Sequence, residues 1–500
     1  MKKRLILGML ISLAISVSGC SGNTDKAQTH NQPPKDQKVQ VSNSENPAKP
    51  EEHEKTEAPA VDSKLILENL NNSKYIIVDT RINDAYNGWK VDGIKRGGHI
   101  PGAVDFSANW LNVEKEDKEA LLQEALDAKG ITPDKTVVLY DIDTKNAENV
   151  KKYLEGKGFK DILIYDFNEW INDDSLELEK YKNYQLVVPA YIVKEAIDGK
   201  TPESFEPSAK IKIVESSWGE ESETYSKGHV PTAFHINTDG FEPPPAWMLD
   251  SDENLQKWAL QHGFTADDTV IVTSADQMAA YRLAVVLRYI GVSDVRVLNG
   301  GNDAWTRAGY ELETKSNKPE PAESFGADIP GNPDIIVTIP ELKECLQMSD
   351  TCVLVDNRGW DEYIGESSGY SYHDKKGRIP GAVFGYAGVN GSGDLSYYRN
   401  IDNTIRNQKE IEALWQSQSI DTQKHMMFMC GSGWRAAEVL TYANVYGYEN
   451  SALYSDGWIG WSNDAENPVE IGEPINNEKE TASNNLMDTD DIPSCCSSGN

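Results

Sequence analysis

One phrase recurs three times along this chain, and the repeat limits the folds open to it more than any other feature. The first copy is Tyr75-Ile76-Ile77-Val78-Asp79, followed by Gly98-His99-Ile100-Pro101-Gly102. The second is Ile211-Lys212-Ile213-Val214-Glu215, followed by Gly228-His229-Val230-Pro231-Thr232. The third is Val353-Leu354-Val355-Asp356, followed by Gly377-Arg378-Ile379-Pro380-Gly381. Each joins a short apolar run ending in an acid to a turn whose proline restricts the backbone. A second half recurs behind it. Apolar runs at 136–140, 269–273 and 426–430 lead into helix-patterned segments at 149–154, 279–289 and 436–445. A glycine-containing break, another strand and a closing aromatic phrase ending at Trp170, Trp305 or Trp461 complete each unit. Strands alternating with helices predict an α/β fold of three tandem modules, each a mostly parallel sheet flanked by helices. The 500 residues suit three domains of roughly 150 each. In such sheets functional groups gather beyond the carboxyl ends of the strands. Cys430 stands at such an end.

The flanks read differently. Lys2, Lys3 and Arg4 precede an apolar stretch at 5–17, too short to span a bilayer comfortably, and then Val17-Ser18-Gly19-Cys20. This resembles the lipobox of bacterial lipoproteins. It implies a signal peptide over 1–19, a lipid on Cys20, and a protein held outside the cytoplasm at the cell membrane by that lipid alone. Residues 20–60 are polar and read as a flexible tether, and 476–500 as a flexible tail. The modules then run over 61–185, 186–317 and 318–475. The net charge of −32 excludes nucleic acid and anionic membrane surfaces as partners. It also means that a site for a small anion must be built locally, from an arginine, backbone amides or a helix N-terminus. No Cys and His pattern has zinc spacing, so no metal is expected. Cys345 and Cys352 read either as a bridge or as two buried thiols.

The third module carries the loop Cys430-Gly431-Ser432-Gly433-Trp434-Arg435. Gly431 and Gly433 let the backbone curl after the strand and turn amides inward. A helix beginning near Arg435-Ala436-Ala437 adds partial positive charge beside the sulfur. Both stabilise negative charge there, and the thiolate is the nucleophilic form of cysteine. Arg435 is expected to hold an oxyanion of a substrate by paired hydrogen bonds. Trp434 reads either as a pocket wall or as a packing aromatic.

Asp356-Asn357-Arg358, the Gly377–Val383 turn, the Cys430 loop and Asp456-Gly457-Trp458-Ile459-Gly460-Trp461 together resemble the rhodanese family, in order. The resemblance extends over roughly residues 61–475 and is strongest in the third module. It implies a sulfurtransferase that passes sulfane sulfur through a Cys430 persulfide, with no organic cofactor. Thiosulfate is the leading donor and cyanide or a thiol the acceptor; 3-mercaptopyruvate is the alternative donor. Gly431, Ser432, Gly433, Trp434 and Arg435 are the substrate-binding candidates. Asp356 and Arg358 read first as a structural ion pair and second as substrate contacts. Counting back from Trp305 places Ser274 where Cys430 lies in the third module, and the first module ends its strand in Tyr140-Asp141. Neither has a nucleophile with the glycine curl, so both modules read as non-catalytic. His99 and His229 read as turn residues. A phosphatase is disfavoured because four residues, not five, separate Cys430 from Arg435. A surface-anchored binding protein is the non-enzymatic rival. Cys495-Cys496 on the tail read as incidental rather than as a sulfur relay.

Overall fold

A computed structural model describes residues 61–474 apart from Asp92. The signal segment, the tether with Cys20, and the tail with Cys495-Cys496 lie outside the described residues. Three sheets account for the strands. The first holds β1 (Tyr75–Asp79), β2 (Val104–Asp105), β3 (Thr136–Asp141) and β4 (Ile162–Asp166), in the order β2-β1-β3-β4. The second holds β5 (Val187–Val188), β6 (Ile211–Ser217), β7 (Phe234–Asn237), β8 (Thr269–Thr273) and β9 (Asp294–Leu298), in the order β5-β9-β8-β6-β7. The third holds β10 (Ile336–Val337), β11 (Cys352–Asp356), β12 (Val383–Phe384), β13 (His425–Met429) and β14 (Ser451–Tyr454), in the order β10-β14-β13-β11-β12. Every pairing within these sheets is parallel. The fold is thus α/β in three modules, as the repeat predicted. Central strands such as Thr269–Thr273 are buried throughout, because helices cover both sheet faces.

The repeated phrases have repeated jobs. His99, His229 and Arg378, the second residues of the three proline turns, bridge antiparallel to Glu179, Glu313 and Glu470 at the module ends. His99 and His229 bond through Nδ1 to the carbonyls of Tyr86 and Tyr225 and stack on those same rings. They are structural turn residues. The hydroxyls of Tyr86, Tyr225 and Tyr363 each donate to a carbonyl just beyond the turn, at Ala103, Ala233 and Ala382. Trp170, Trp305 and Trp461 each donate their indole N–H, at 2.9 Å, to a carbonyl of the segment that closes the module. Cys345, on helix Ile339–Gln347, is disulfide-bonded to Cys352 at the start of β11, with Cα atoms 5.4 Å apart. Of the two readings of that pair, the bridge is the one realised.

The modules are not independent beads. Helix Gln277–Ile290 of the second packs on helix Trp434–Tyr446 of the third, with Tyr281 and Tyr442 edge to face at 5.2 Å. One apolar core runs through both modules, from Val214 and Val272 through Leu283 and Val286 to Val439, Leu440 and Phe428. The first module keeps cores of its own. It joins the others through apolar and polar contacts alike: Tyr86 and Tyr181 enter the shared core, Tyr181 edge to face with Tyr446 at 5.1 Å, Trp89 packs with the second module, Asn183 N–H donates to Val445 O, and Asn407 donates to Asp105.

Candidate active site

Strand register sets the three modules in correspondence. Asp79 is opposite Tyr140, Glu215 opposite Thr273, and Asp356 opposite Met429. The next residues, Asp141, Ser274 and Cys430, therefore occupy one position in three copies. What differs is who satisfies the loop amides that follow. In the first module the Asp141 carboxylate accepts from the amides of Ile142 and Asn146, both at 2.8 Å. In the second, Ser274 Oγ accepts from the amide of Asp276, whose carboxylate accepts from that of Met278. Both loops are filled by their own side chains. In the third, the amides of Gly431 through Arg435 have no hydrogen-bond partner among the described residues.

The curl that leaves them open has identifiable supports. The amides of Trp458 and Ile459 donate to the carbonyls of Cys430 and Gly431 at 2.8 and 3.0 Å. A peptide's N–H points opposite to its C=O, so the amides of Gly431 and Ser432 face away from that helix. Gly457 permits this approach: at φ +57°, a Cβ there would sit 2.5 Å from both carbonyl oxygens. Gly433, at φ +87°, caps helix Trp434–Tyr446 in the left-handed conformation that favours glycine. Cys430, buried and without a disulfide partner among the described residues, heads this loop four residues before the helix begins, where the helix N-terminus favours negative charge. The helix starts at Trp434, slightly ahead of its expected start.

Arg435 departs from expectation. It is fully buried, and its two terminal nitrogens donate to Glu362 at 2.7 and 2.9 Å, with a third bond to the Tyr370 hydroxyl at 2.9 Å. Its fork is closed to a substrate because Glu362, one turn beyond Arg358, already fills it. Burial pushes the Glu362 carboxyl up, but the hydrogen bonds and charge of Arg435 prevail and hold it below its ordinary value. Burial, with a further push from nearby Cys430, drives the Tyr370 hydroxyl well above its ordinary range, although Arg435 pulls the other way. Tyr370 thus keeps its proton and, accepting from Arg435, has its O–H to donate. It lies against Gly431 so closely that a Cβ there would collide with it.

Asp356 and Arg358 form a wholly buried ion pair, and Arg358 also donates to the Gly377 carbonyl, tying strand end to proline turn. Asp79, Arg81 and Gly98 repeat this in the first module. Trp434 is half-buried and donates its indole N–H to Glu242 of the second module at 2.9 Å. Ser432 is half-buried in the loop. Sequence reasoning missed Glu362, Tyr370, Tyr372 and Glu242. The tyrosines lie between Asp356 and the proline turn, 21 residues from acid to glycine against 19 in the first module and 13 in the second, so length alone was a weak signal. Glu242 comes from a different repeat and left none.

The rhodanese-like domain profile matches residues 62–173, 207–308 and 340–464, one stretch per module. The chain belongs to the rhodanese-like family. Among rhodanese relatives, the thiosulfate sulfurtransferase YnjE of Escherichia coli is 35% identical over 412 residues, 82% of this chain and 92% of that protein. Human 3-mercaptopyruvate sulfurtransferase is 26% identical over 287 residues, 55% of this chain and 91% of its own length. The anaerobic ergothioneine biosynthesis enzyme of Chlorobium limicola, solved with trimethyl histidine, superposes with a TM-score of 0.78 at 34% identity, covering 83% of this chain and 99% of that one. EanB has been solved with a cysteine persulfide and ergothioneine, at 35% identity and the same TM-score. This chain is a rhodanese-family sulfurtransferase.

Proposed function

We propose that Cys430 takes the outer sulfur of a small anionic donor, with thiosulfate leading, and holds it as a persulfide for a nucleophilic acceptor such as cyanide or a thiol. In the first half the thiolate attacks the sulfane sulfur; the Cys–S bond forms as the donor's S–S bond breaks, and sulfite leaves with that electron pair. In the second half the acceptor attacks the outer sulfur and the Cys430 thiolate leaves. The observation that carries this reading is the set of open amides beneath Cys430, where the other two modules place Asp141 and Asp276. Preorganised N–H groups lower the energy of an anionic sulfur in both halves without reorganising. The N-terminal pattern supports a further part of the proposal, that the enzyme works outside the cytoplasm on a lipid attached at Cys20.

The test is thiocyanate release from thiosulfate and cyanide, with mass spectrometry of the donor-treated protein. Wild type should turn over and gain one sulfur atom on Cys430; Cys430→Ser should do neither. Turnover by Cys430→Ser would remove Cys430 from the role.

A second reading of the acceptor is favoured by the aromatic surroundings. Tyr370 and Tyr372 lie 5.4 Å apart, and Trp247 of the second module lies 5.1 Å from Tyr372. Such rings suit a cationic, flat acceptor better than an anionic one, and the Chlorobium limicola enzyme is solved with trimethyl histidine. Offering that compound to the persulfide form and finding no sulfur transferred would exclude this acceptor.

A further inference from the structure

We propose that the second module supplies the cation of the Cys430 site: Arg282, not Arg435, binds the oxyanion of the sulfur donor. This rests on the sulfurtransferase reading of Cys430. Arg282 lies on helix Gln277–Ile290 and is wholly buried. Its Nε donates to Glu242 at 2.7 Å and its Nη2 to Ser455 Oγ at 2.7 Å, with a further 2.5 Å contact to Glu242. Its Nη1 has no hydrogen-bond partner among the described residues. That nitrogen abuts the catalytic loop: a Cβ built on Gly433 would stand 3.0 Å from Nη1 and 3.3 Å from Cζ.

A buried guanidinium N–H without an acceptor is unfavourable, more so than an unsatisfied neutral donor. Arg81, Arg288 and Arg358 also leave Nη1 without a partner among the described residues; Arg81 and Arg358 lie over aromatic faces, Phe167 at 4.3 Å and Trp458 at 4.9 Å, and Arg288 stands near the C-terminal end of the same helix as Arg282, beside Asn444. No ring faces Arg282 among the described contacts. Its spare donor is instead placed beside the open amides, where a donor anion is to sit. Glu242 fixes the guanidinium from one side and receives the Trp434 indole on its other oxygen.

The second module's own loop has the opposite arrangement. Register pairs Ser274 with Cys430, and counting eight residues on from each pairs Arg282 with Glu438. Glu438 is held by Arg399, at 2.6 Å through both carboxylate oxygens, and both act electrostatically on Asp276. The helix charge across the module interface is therefore reversed. A carboxylate reaches toward the filled loop of the second module, and a cation toward the open loop of the third.

The test separates binding from turnover. Thiosulfate binding is measured by calorimetry on Cys430→Ser and on Cys430→Ser carrying Arg282→Met or Arg282→Lys, with melting curves confirming the fold. Arg282→Met should weaken binding at least tenfold, and Arg282→Lys should restore part of it. Equal binding by all three, or no binding by Cys430→Ser itself, overturns the proposal whether or not wild type turns over. In ping-pong kinetics of the single Arg282→Met variant, kcat/KM for thiosulfate should fall tenfold while kcat/KM for cyanide stays within twofold. Equal falls in both would make Arg282 only a strut of the loop and refute donor binding.

Discussion

Gly431 shows how little freedom the loop has at the level of single residues. A methyl group there meets the Tyr370 hydroxyl, which Arg435 and Glu362 hold in place. Either the loop or the tyrosine must shift, and small displacements of a reacting group can cost about 100-fold in rate. Gly431→Ala should therefore lower kcat/KM by about that factor in the thiocyanate assay, with the protein still folded. Glu362 tests the other side of the same cluster. Glu362→Gln leaves Arg435 buried without its carboxylate, and breaking a buried pair from one side typically destabilises by ~3–5 kcal/mol. Urea unfolding should show a loss of that order, larger than that of Gly431→Ala.

At the level of elements, the strand–loop–helix unit appears three times with three fates. The strand and helix are alike; the first residues of the loop decide. Asp141 and Asp276 cap their own helices and leave nothing for a ligand, whereas glycines and a small thiol leave amides open. The third module has one more device, the Cys345–Cys352 bridge between helix Ile339–Gln347 and β11. It ties that helix to the end of the sheet where β11 begins, opposite the end that bears Cys430. Closing so short a loop is worth ~2–3 kcal/mol by the chain-entropy account. Replacing both cysteines by alanine should lower the denaturant midpoint accordingly and leave kcat/KM for thiosulfate within twofold.

Over the whole molecule, the three modules meet at a buried polar junction. Asp84 of the first accepts from Asn299 of the second at 2.8 Å, and Asn299 accepts from the Ile405 amide of the third at 3.0 Å. Lys129 of the first module bridges Asp105 to Glu410 of the third. Burial pushes the Asp84 carboxyl up to about 7; the Asn299 hydrogen bond and Arg307 pull it down, and Asp402 adds to the rise. A carboxyl raised on folding stabilises most at pH below its unfolded value and loses that contribution as pH rises through its folded value. Between about pH 5.5 and pH 8.5 wild type should lose ~2 kcal/mol more than Asp84→Asn by linkage. Melting curves of both proteins across that range check it; parallel curves would show that Asp84 does not titrate there.

What was legible in the sequence was whatever repeats or lies close along the chain. Hydrophobic period, proline turns and closing tryptophans are local, so the α/β class and the three modules could be read directly. Cys430 could be read because glycines, helix start and thiol occupy one short segment. The buried pair of Asp356 with Arg358 was also within reach, being two residues apart. Only tertiary structure decided which arginine keeps a donor to spare beside the loop. Arg435 looks available beside Cys430 until Glu362, 73 residues earlier, closes on it, and Arg282 meets the loop only because two modules share a core. Side-chain charge is written in the sequence, but whether a charge is satisfied depends on neighbours that the chain brings together from far apart.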